Sequence, residues 1–268
     1  MQVALITGGN SGIGLATVRL FLENGARVIA LDRNSFTYPA SEDFLPLQCD
    51  VTSEQGVKDA VDAGFKKFGK INILCNIAGV IEHKSMSPFL TFGVCLPSLR
   101  TEPPHEISTE DWHRIININL HGPFYVLKAV VPHMLTNESE EKGVIINTGS
   151  GASVRGSHAG TAYTTSKHAV LGFTRSTAWL YRNKGIRCNV VYPGATHTNI
   201  VVNSSPANSG AKNPKSFDEV TDPDLKPTLM CCPGINQPED VAVAYLFLAN
   251  AQGANGVELP IDRGWLLS

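Results

Sequence analysis

Short apolar runs alternate with longer amphipathic stretches along almost the whole chain. Residues 3–6 read as a first strand, and 14–24 as the helix that follows, with Leu15, Val18 and Leu22 on one face. Residues 27–31, 45–49 and 71–75 read as the next three strands, with a helix over 53–68. A long helix is predicted over 111–135, a fifth strand over 144–148, a second long helix over 162–183 and a sixth strand over 187–192. A helix over 238–248 and a strand over 257–261 complete the series. Strands that are apolar throughout must be covered on both faces. The pattern therefore predicts an α/β fold: a doubly wound, Rossmann-type parallel sheet of about seven strands with helices on both faces. With 268 residues, one domain over 1–268 is the simplest organisation.

Two stretches break the alternation. Residues 83–106 are irregular and contain Pro88, Pro97, Pro103 and Pro104, yet carry the apolar side chains Phe89, Leu90, Phe92, Val94, Leu96 and Leu99. Residues 203–229 are rich in Asn, Ser, Pro and Lys. Long irregular segments in compact domains often serve as lids or binding elements. The second is expected to cover a substrate; the first is an insertion that suits a substrate cover, a subunit contact or no role at all.

The bulk properties exclude several classes of protein. The chain is 43% hydrophobic and 17% charged, which argues against disorder. A formal charge of −2 lacks the basic excess of a nucleic-acid-binding protein. No apolar run reaches membrane-spanning length, and the start of the chain lacks the features of a secretory signal, so a cytoplasmic protein with no membrane partner is expected. The six cysteines show no CxxC spacing. Cys49, Cys75 and Cys188 fall in or beside strands and read as buried thiols of a reducing compartment; Cys231-Cys232 has no second motif to support redox chemistry. The histidines are scattered, and no metal site is expected.

The first strand leads through Thr7-Gly8-Gly9-Asn10-Ser11-Gly12-Ile13-Gly14 into the first helix. Glycines there let the backbone turn sharply and approach a pyrophosphate at the positive helix end. In a strand–loop–helix setting this predicts a dinucleotide site. Asp32 closes the second strand, where a carboxylate can accept both hydroxyls of the adenosine ribose and would repel a 2′-phosphate. That favours NAD; the adjacent Arg33, which could pair with such a phosphate, keeps NADP as the alternative.

Tyr163 and Lys167 stand one helical turn apart, on one face of the second long helix. A phenol is a poor base near neutral pH unless its pKa of about 10 is lowered. A neighbouring ammonium can lower it. Ser150, thirteen residues earlier, offers a hydroxyl to hold a substrate oxygen. The combination predicts proton transfer at a ketone or secondary alcohol.

With the glycine loop, Asn76-Ile77-Ala78-Gly79 at a strand end and the YxxxK pair in order, the chain resembles the ordinary-length branch of the short-chain dehydrogenase/reductase family. The resemblance implies a hydride-transferring enzyme, usually a homotetramer, with a homodimer as the smaller assembly. It implies that Asn119, Ser150, Tyr163 and Lys167 are catalytic, with Asn119 holding a relay water and Lys167 also reaching the nicotinamide ribose. It implies cofactor contacts from Gly8, Asn10, Ser11, Gly12, Ile13, Gly14, Asp32, Asn76, Ala78, Gly79, Tyr163 and Lys167. Asp50-Val51 resembles the pair that contacts adenine, although Asp50 also suits a helix cap. Pro193-Gly194, with Thr196 and Thr198, resembles the turn that contacts the nicotinamide carboxamide. The chain departs from the family pattern at Ile77, at Gly149 (often a serine) and at Asp262-Arg263-Gly264 (usually Asp-Gly-Gly), which puts the terminal turn in question. Val154, His158 and His197 are candidates for the substrate pocket.

Overall fold

The computed structural model describes residues 1–82, 103–200, 204 and 232–267. Of the two irregular stretches, only 103–106 of the first and Ser204 of the second lie within the described residues.

Seven parallel strands form one sheet: β1 (Val3–Thr7), β2 (Arg27–Asp32), β3 (Phe44–Gln48), β4 (Ile73–Asn76), β5 (Gly143–Thr148), β6 (Ile186–Pro193) and β7 (Glu258–Ile261). Their order is β3-β2-β1-β4-β5-β6-β7. All five residues of β1 and all four of β4 are buried: an apolar run in each, closed by the polar Thr7 and Asn76 at the carboxyl ends. Helices α1 (Gly12–Glu23) and α6 (Pro238–Asn250) pack together over one face. Helices α2 (Glu54–Phe68), α4 (Gly122–Leu135) and α5 (Thr161–Tyr181) cover the other. Val28 and Ile6 point into the first core layer, while their neighbours Ile29 and Leu5 point into the second.

Local chemistry sets the helix ends. Ser53 caps α2 by accepting the Gly56 amide at 3.1 Å, and Gly69 ends it in the left-handed region at φ 74°. Ser108 caps α3 (Thr109–Ile116) by accepting the Asp111 amide at 3.1 Å. The single helix expected over 111–135 is three pieces: α3, a π-helical turn over Asn117–His121, and α4. Hydrophobic periodicity over so long a stretch does not report one widened turn.

The far edge of the sheet is held by a buried cation. Arg187 on β6 is 7% exposed, and its guanidinium donates to the carbonyls of Leu248, Ala249 and Ala254 at 2.9–3.1 Å. These carbonyls lie in the last turn of α6 and just beyond it, where a helix leaves carbonyls without intrahelical donors. Glu141 neutralises the charge, with its Oε1 2.7 Å from Arg187 Nε. The three cysteines expected to be buried thiols, Cys49, Cys75 and Cys188, are buried and unpaired; Cys95 and Cys231 lie outside the described residues.

Replacing Arg187 by alanine leaves several carbonyls and the Glu141 carboxylate short of a donor. The substitution is expected to destabilise the protein by about 3 kcal/mol, measured by urea denaturation. A loss below about 1 kcal/mol would show that water satisfies those carbonyls equally well.

Candidate active site

The strand order reverses direction between β1 and β4, so the connections after these two strands diverge and leave a crevice at their carboxyl ends. Thr7, the last residue of β1, fixes that crevice. Its hydroxyl accepts the amides of Ile77 and Ala78 at 2.9 and 3.1 Å, which ties the glycine loop to the segment after β4. Ile77, a departure from the family's asparagine, takes part through its backbone, so the tie survives the change of side chain.

Two adjoining cavities open here and share Ile13, Ile77, Gly79, Thr198 and Ile200. The first, of about 170 Å³, runs from Gly8, Ser11, Gly12 and Gly14 outward to Asp32, Asp50 and Val51, with Ala78 and Gly79 opposite. Its glycines are required by close approach. A Cβ on Gly14 would run into the Gly8 carbonyl oxygen, and Gly8 itself sits at φ 69° against the Ala78 backbone. Asp32 Oδ2 accepts the Asn10 amide at 3.2 Å and Oδ1 accepts the Asn34 amide at 2.9 Å, so the carboxylate is held at the mouth of the groove. Asn10 does not line the cavity; it braces Asp32, and its side chain donates to the Ser35 carbonyl. Asp50 accepts the Thr52 amide and hydroxyl at 2.9 and 2.8 Å, so it shapes the turn before α2 while lining the groove; the helix cap itself is Ser53.

The second cavity, of about 230 Å³, brings Ser150, Tyr163 and Lys167 together with Pro193, Gly194, Thr196 and Thr198. Ser150 follows β5 and is held by a local turn: its amide donates to Ser153 Oγ at 3.1 Å, and its hydroxyl accepts the Ala152 amide at 3.2 Å. That hydroxyl also hydrogen-bonds the Tyr163 phenol. Gly149, where the family often has serine, is demanded by a neighbour. A Cβ there would lie 2.6 Å from Tyr192 Cε1 and 2.8 Å from Ser153 Oγ, so the bulky Tyr192 on β6 occupies the space a side chain would need.

The electrostatics differ from the expectation that Lys167 lowers the phenol. Burial dominates and pushes Tyr163 up to about 12; the Ser150 hydrogen bond opposes the rise and the Glu82 carboxylate adds to it. Burial also holds Lys167 down at about 8. Its Nζ donates to the Thr148 carbonyl at 2.8 Å and lies 5.4 Å from the centre of the Tyr163 ring.

Asn119 and Asn76 line neither cavity. The π turn carries Asn119 to 1% exposure, where it clamps Val80 at both backbone groups: Oδ1 accepts its amide and Nδ2 donates to its carbonyl, each at 2.9 Å. Gly79 leaves the space between Asn119 and Lys167 open. A Cβ there would stand 3.4 Å from Asn119 Oδ1 and 3.7 Å from Lys167 Nζ. Asn76 turns into the core instead, donating to Asn147 Oδ1 at 2.9 Å.

His158 and His197 line the second cavity; Val154 is exposed and does not. Sequence reasoning missed Ile81, Ile235 and Trp265, which complete the wall. Trp265 stacks on His158 with ring centres 4.2 Å apart. It is held there by the terminal turn, which forms despite Arg263: this residue adopts φ 57°, and Asp262 accepts the amides of Gly264 and Leu266 at 3.0 and 2.8 Å. The strained conformation aims the Arg263 guanidinium at Asn236 Oδ1, 2.9 Å away. Asn236 in turn pairs with the backbone of Ala195 and His197, so the departure at position 263 braces the turn that walls the cavity. The only available signal was the atypical Asp-Arg-Gly itself.

Among the described residues no group of His, Cys, Asp and Glu could hold a metal, and no helix is long and apolar enough to cross a membrane. The family description "short chain dehydrogenase" matches residues 2–209. Over 98% of this chain and 96% of its own length, the short-chain dehydrogenase/reductase olcF of Penicillium canescens is 36% identical. A 3beta-hydroxysteroid dehydrogenase 2 of Eggerthella lenta is 33% identical over 98% of this chain and 94% of its own. The structure of a 3-ketoacyl-(acyl-carrier-protein) reductase from Brucella melitensis, complexed with NADH, superposes with a TM-score of 0.77 at 25% identity, covering 99% of this chain and 98% of that one. The fold, the glycine-lined groove and the extent of these matches together make the chain a member of the short-chain dehydrogenase/reductase family, an oxidoreductase acting on CH–OH or carbonyl groups.

Proposed function

We propose that the protein is an NAD(H)-dependent oxidoreductase that interconverts a secondary alcohol and a ketone. One observation carries this reading: Ser150, Tyr163 and Lys167 converge in an apolar cavity that opens directly into the glycine-lined groove. The groove fits a dinucleotide. The backbone of residues 8–14 would receive the pyrophosphate, Asp32 the adenosine ribose and Asp50-Val51 the adenine. Asn76, buried behind the groove, would act through the strand end it supports. Pro193, Gly194, Thr196 and Thr198 would place the nicotinamide, with Lys167 at its ribose. The nicotinamide, when bound, supplies or accepts the hydride.

The chain's own residues handle the proton. At neutral pH a phenol near 12 is protonated, so Tyr163 stands ready to give its proton to a ketone oxygen. Ser150 donates to the same oxygen and stabilises the charge that develops on it. Alcohol oxidation runs the transfer backwards, and the Lys167 ammonium then favours the phenolate. Asn119 and Lys167 flank the open space over Gly79, where a water could return the proton to solvent.

The substrate wall is apolar and flat on one side: Ile81, Ile200, Ile235 and the Trp265 ring stacked on His158. Such a wall suits a rigid, apolar alicyclic alcohol or ketone, and the similarity to a protein named a hydroxysteroid dehydrogenase supports that class. Exposed Phe124 on α4, Trp179 and Leu180 on α5, and Val243 and Phe247 on α6 support assembly into a homotetramer or homodimer. Buried free thiols support a cytoplasmic location.

Tyr163→Phe is expected to reduce turnover about 10²–10⁴-fold while NADH still binds, measured by nicotinamide absorbance and fluorescence. Turnover near the wild-type level would exclude Tyr163 as the proton donor. A second test concerns the cofactor, because Arg33 lines the same groove as Asp32 and favours a 2′-phosphate. NADH is expected to bind at least about tenfold more tightly than NADPH, and Asp32→Ala to erode that preference. Tighter NADPH binding to the wild type would support the NADPH-dependent carbonyl reductase reading instead.

A further inference from the structure

The helix that carries Tyr163 and Lys167 has no cap of its own. Gly160 occupies the N-cap position of α5 and offers no side chain to the amides of the first turn. The missing acceptor comes from Glu82, on the segment after β4. Its Oε1 takes the Tyr163 backbone amide at 2.7 Å, and the Ala162 amide also bonds to the carboxylate. The fit is specific: a Cβ on Gly160 would stand 2.7 Å from Glu82 Cδ and 3.0 Å from Oε2. Glu82 is only 4% exposed, and among the described residues Oε2 has no hydrogen-bond partner.

A carboxylate buried this deeply is costly, and a serine in place of Gly160 would cap the helix more cheaply. Its placement suggests a task beyond capping. Glu82 adjoins Ile81, whose side chain walls the substrate cavity and whose amide donates to Ser204 Oγ at 2.9 Å. Arg114 donates to the Ile81 carbonyl at 3.1 Å and pairs with Asp111, which also faces Glu82. On the other side the carboxylate faces Tyr163, itself surrounded by Ser150, Lys167 and Tyr245.

We infer that Glu82 is a positioning residue for Tyr163: it caps the catalytic helix from the loop that walls the substrate cavity, so that phenol and wall keep one geometry. The inference rests on Tyr163 as the proton donor. Burial holds the Glu82 carboxyl above the usual carboxylate range; in its ionised form it also raises the phenol, whose protonated form ketone reduction requires.

Four full-length variants test this: E82A, E82Q, G160S and the double variant E82A/G160S. Amide hydrogen exchange over residues 160–167 reads the cap without any substrate; NADH-dependent ketone reduction reads its consequence. In E82A the amides of Ala162 and Tyr163 are expected to exchange about tenfold faster, and kcat to fall while NADH affinity holds. E82Q keeps an acceptor and recovers most of that loss, but the alkaline limb of its reduction profile moves to lower pH because the charge beside the phenol is gone. G160S alone disturbs the site, whereas in the double variant the space vacated by the glutamate admits the introduced hydroxymethyl group, which restores protection and turnover. Unchanged exchange and kcat in E82A, or a double variant no better than E82A, would overturn the inference. If E82A does not fold, G160S decides in its place: exchange over residues 160–167 and kcat both unchanged from wild type in that variant overturn the inference. If the wild type reduces no ketone, the oxidoreductase reading fails, and the exchange measurements still decide whether Glu82 caps α5.

Discussion

The pairing of β1 with β4 at the centre of the sheet is the constraint on which the site depends. These strands lie side by side although their connecting segments leave in opposite directions, and the crevice between those segments is where both cavities open. The Thr7 hydroxyl closes the arrangement by accepting two amides from the segment after β4. From that point the glycine loop extends one way and the Gly79–Glu82 segment the other. Each functional group is placed relative to one of the two.

The Gly79–Glu82 segment borders the end of the crevice where Ser150, Tyr163 and Lys167 meet. It is clamped by Asn119 at Val80, by Arg114 and Ser204 at Ile81, and it holds α5 through Glu82. Of these contacts only the Glu82 carboxylate reaches α5, at the Tyr163 amide, and the proposed positioning role rests on it. The π turn belongs to the same device, since it carries Asn119 inward to Val80. Burial then decides the electrostatics. It raises the phenol and lowers the ammonium, so the lysine's field does not dominate the tyrosine in this structure.

Much of this was legible in the sequence because it depends on local periodicity. Apolar strands and the strand–glycine–helix junction predict the parallel sheet and its groove, and Ser150, Tyr163 and Lys167 meet because the turn after β5 and the first turns of α5 carry them to the carboxyl end of the sheet. The departures from the family pattern could be seen but not explained. Gly149 makes sense only beside Tyr192, and Arg263 only beside Asn236. In both cases the explanation is a side chain distant in sequence that fills a space or completes a hydrogen bond.

The sequence by itself determined the fold class, the dinucleotide groove and the kind of chemistry, since periodicity, glycine spacing and a one-turn Tyr–Lys offset act over a few residues. Only the tertiary structure decided the protonation of Tyr163, the aromatic wall of His158 and Trp265, the capping of α6 by Arg187 and the capping of α5 by Glu82. Each of these depends on burial or on contacts between residues about 60 to 110 positions apart. Such contacts leave no periodic trace in the chain, because a buried partner constrains one position at a time and not a repeating face.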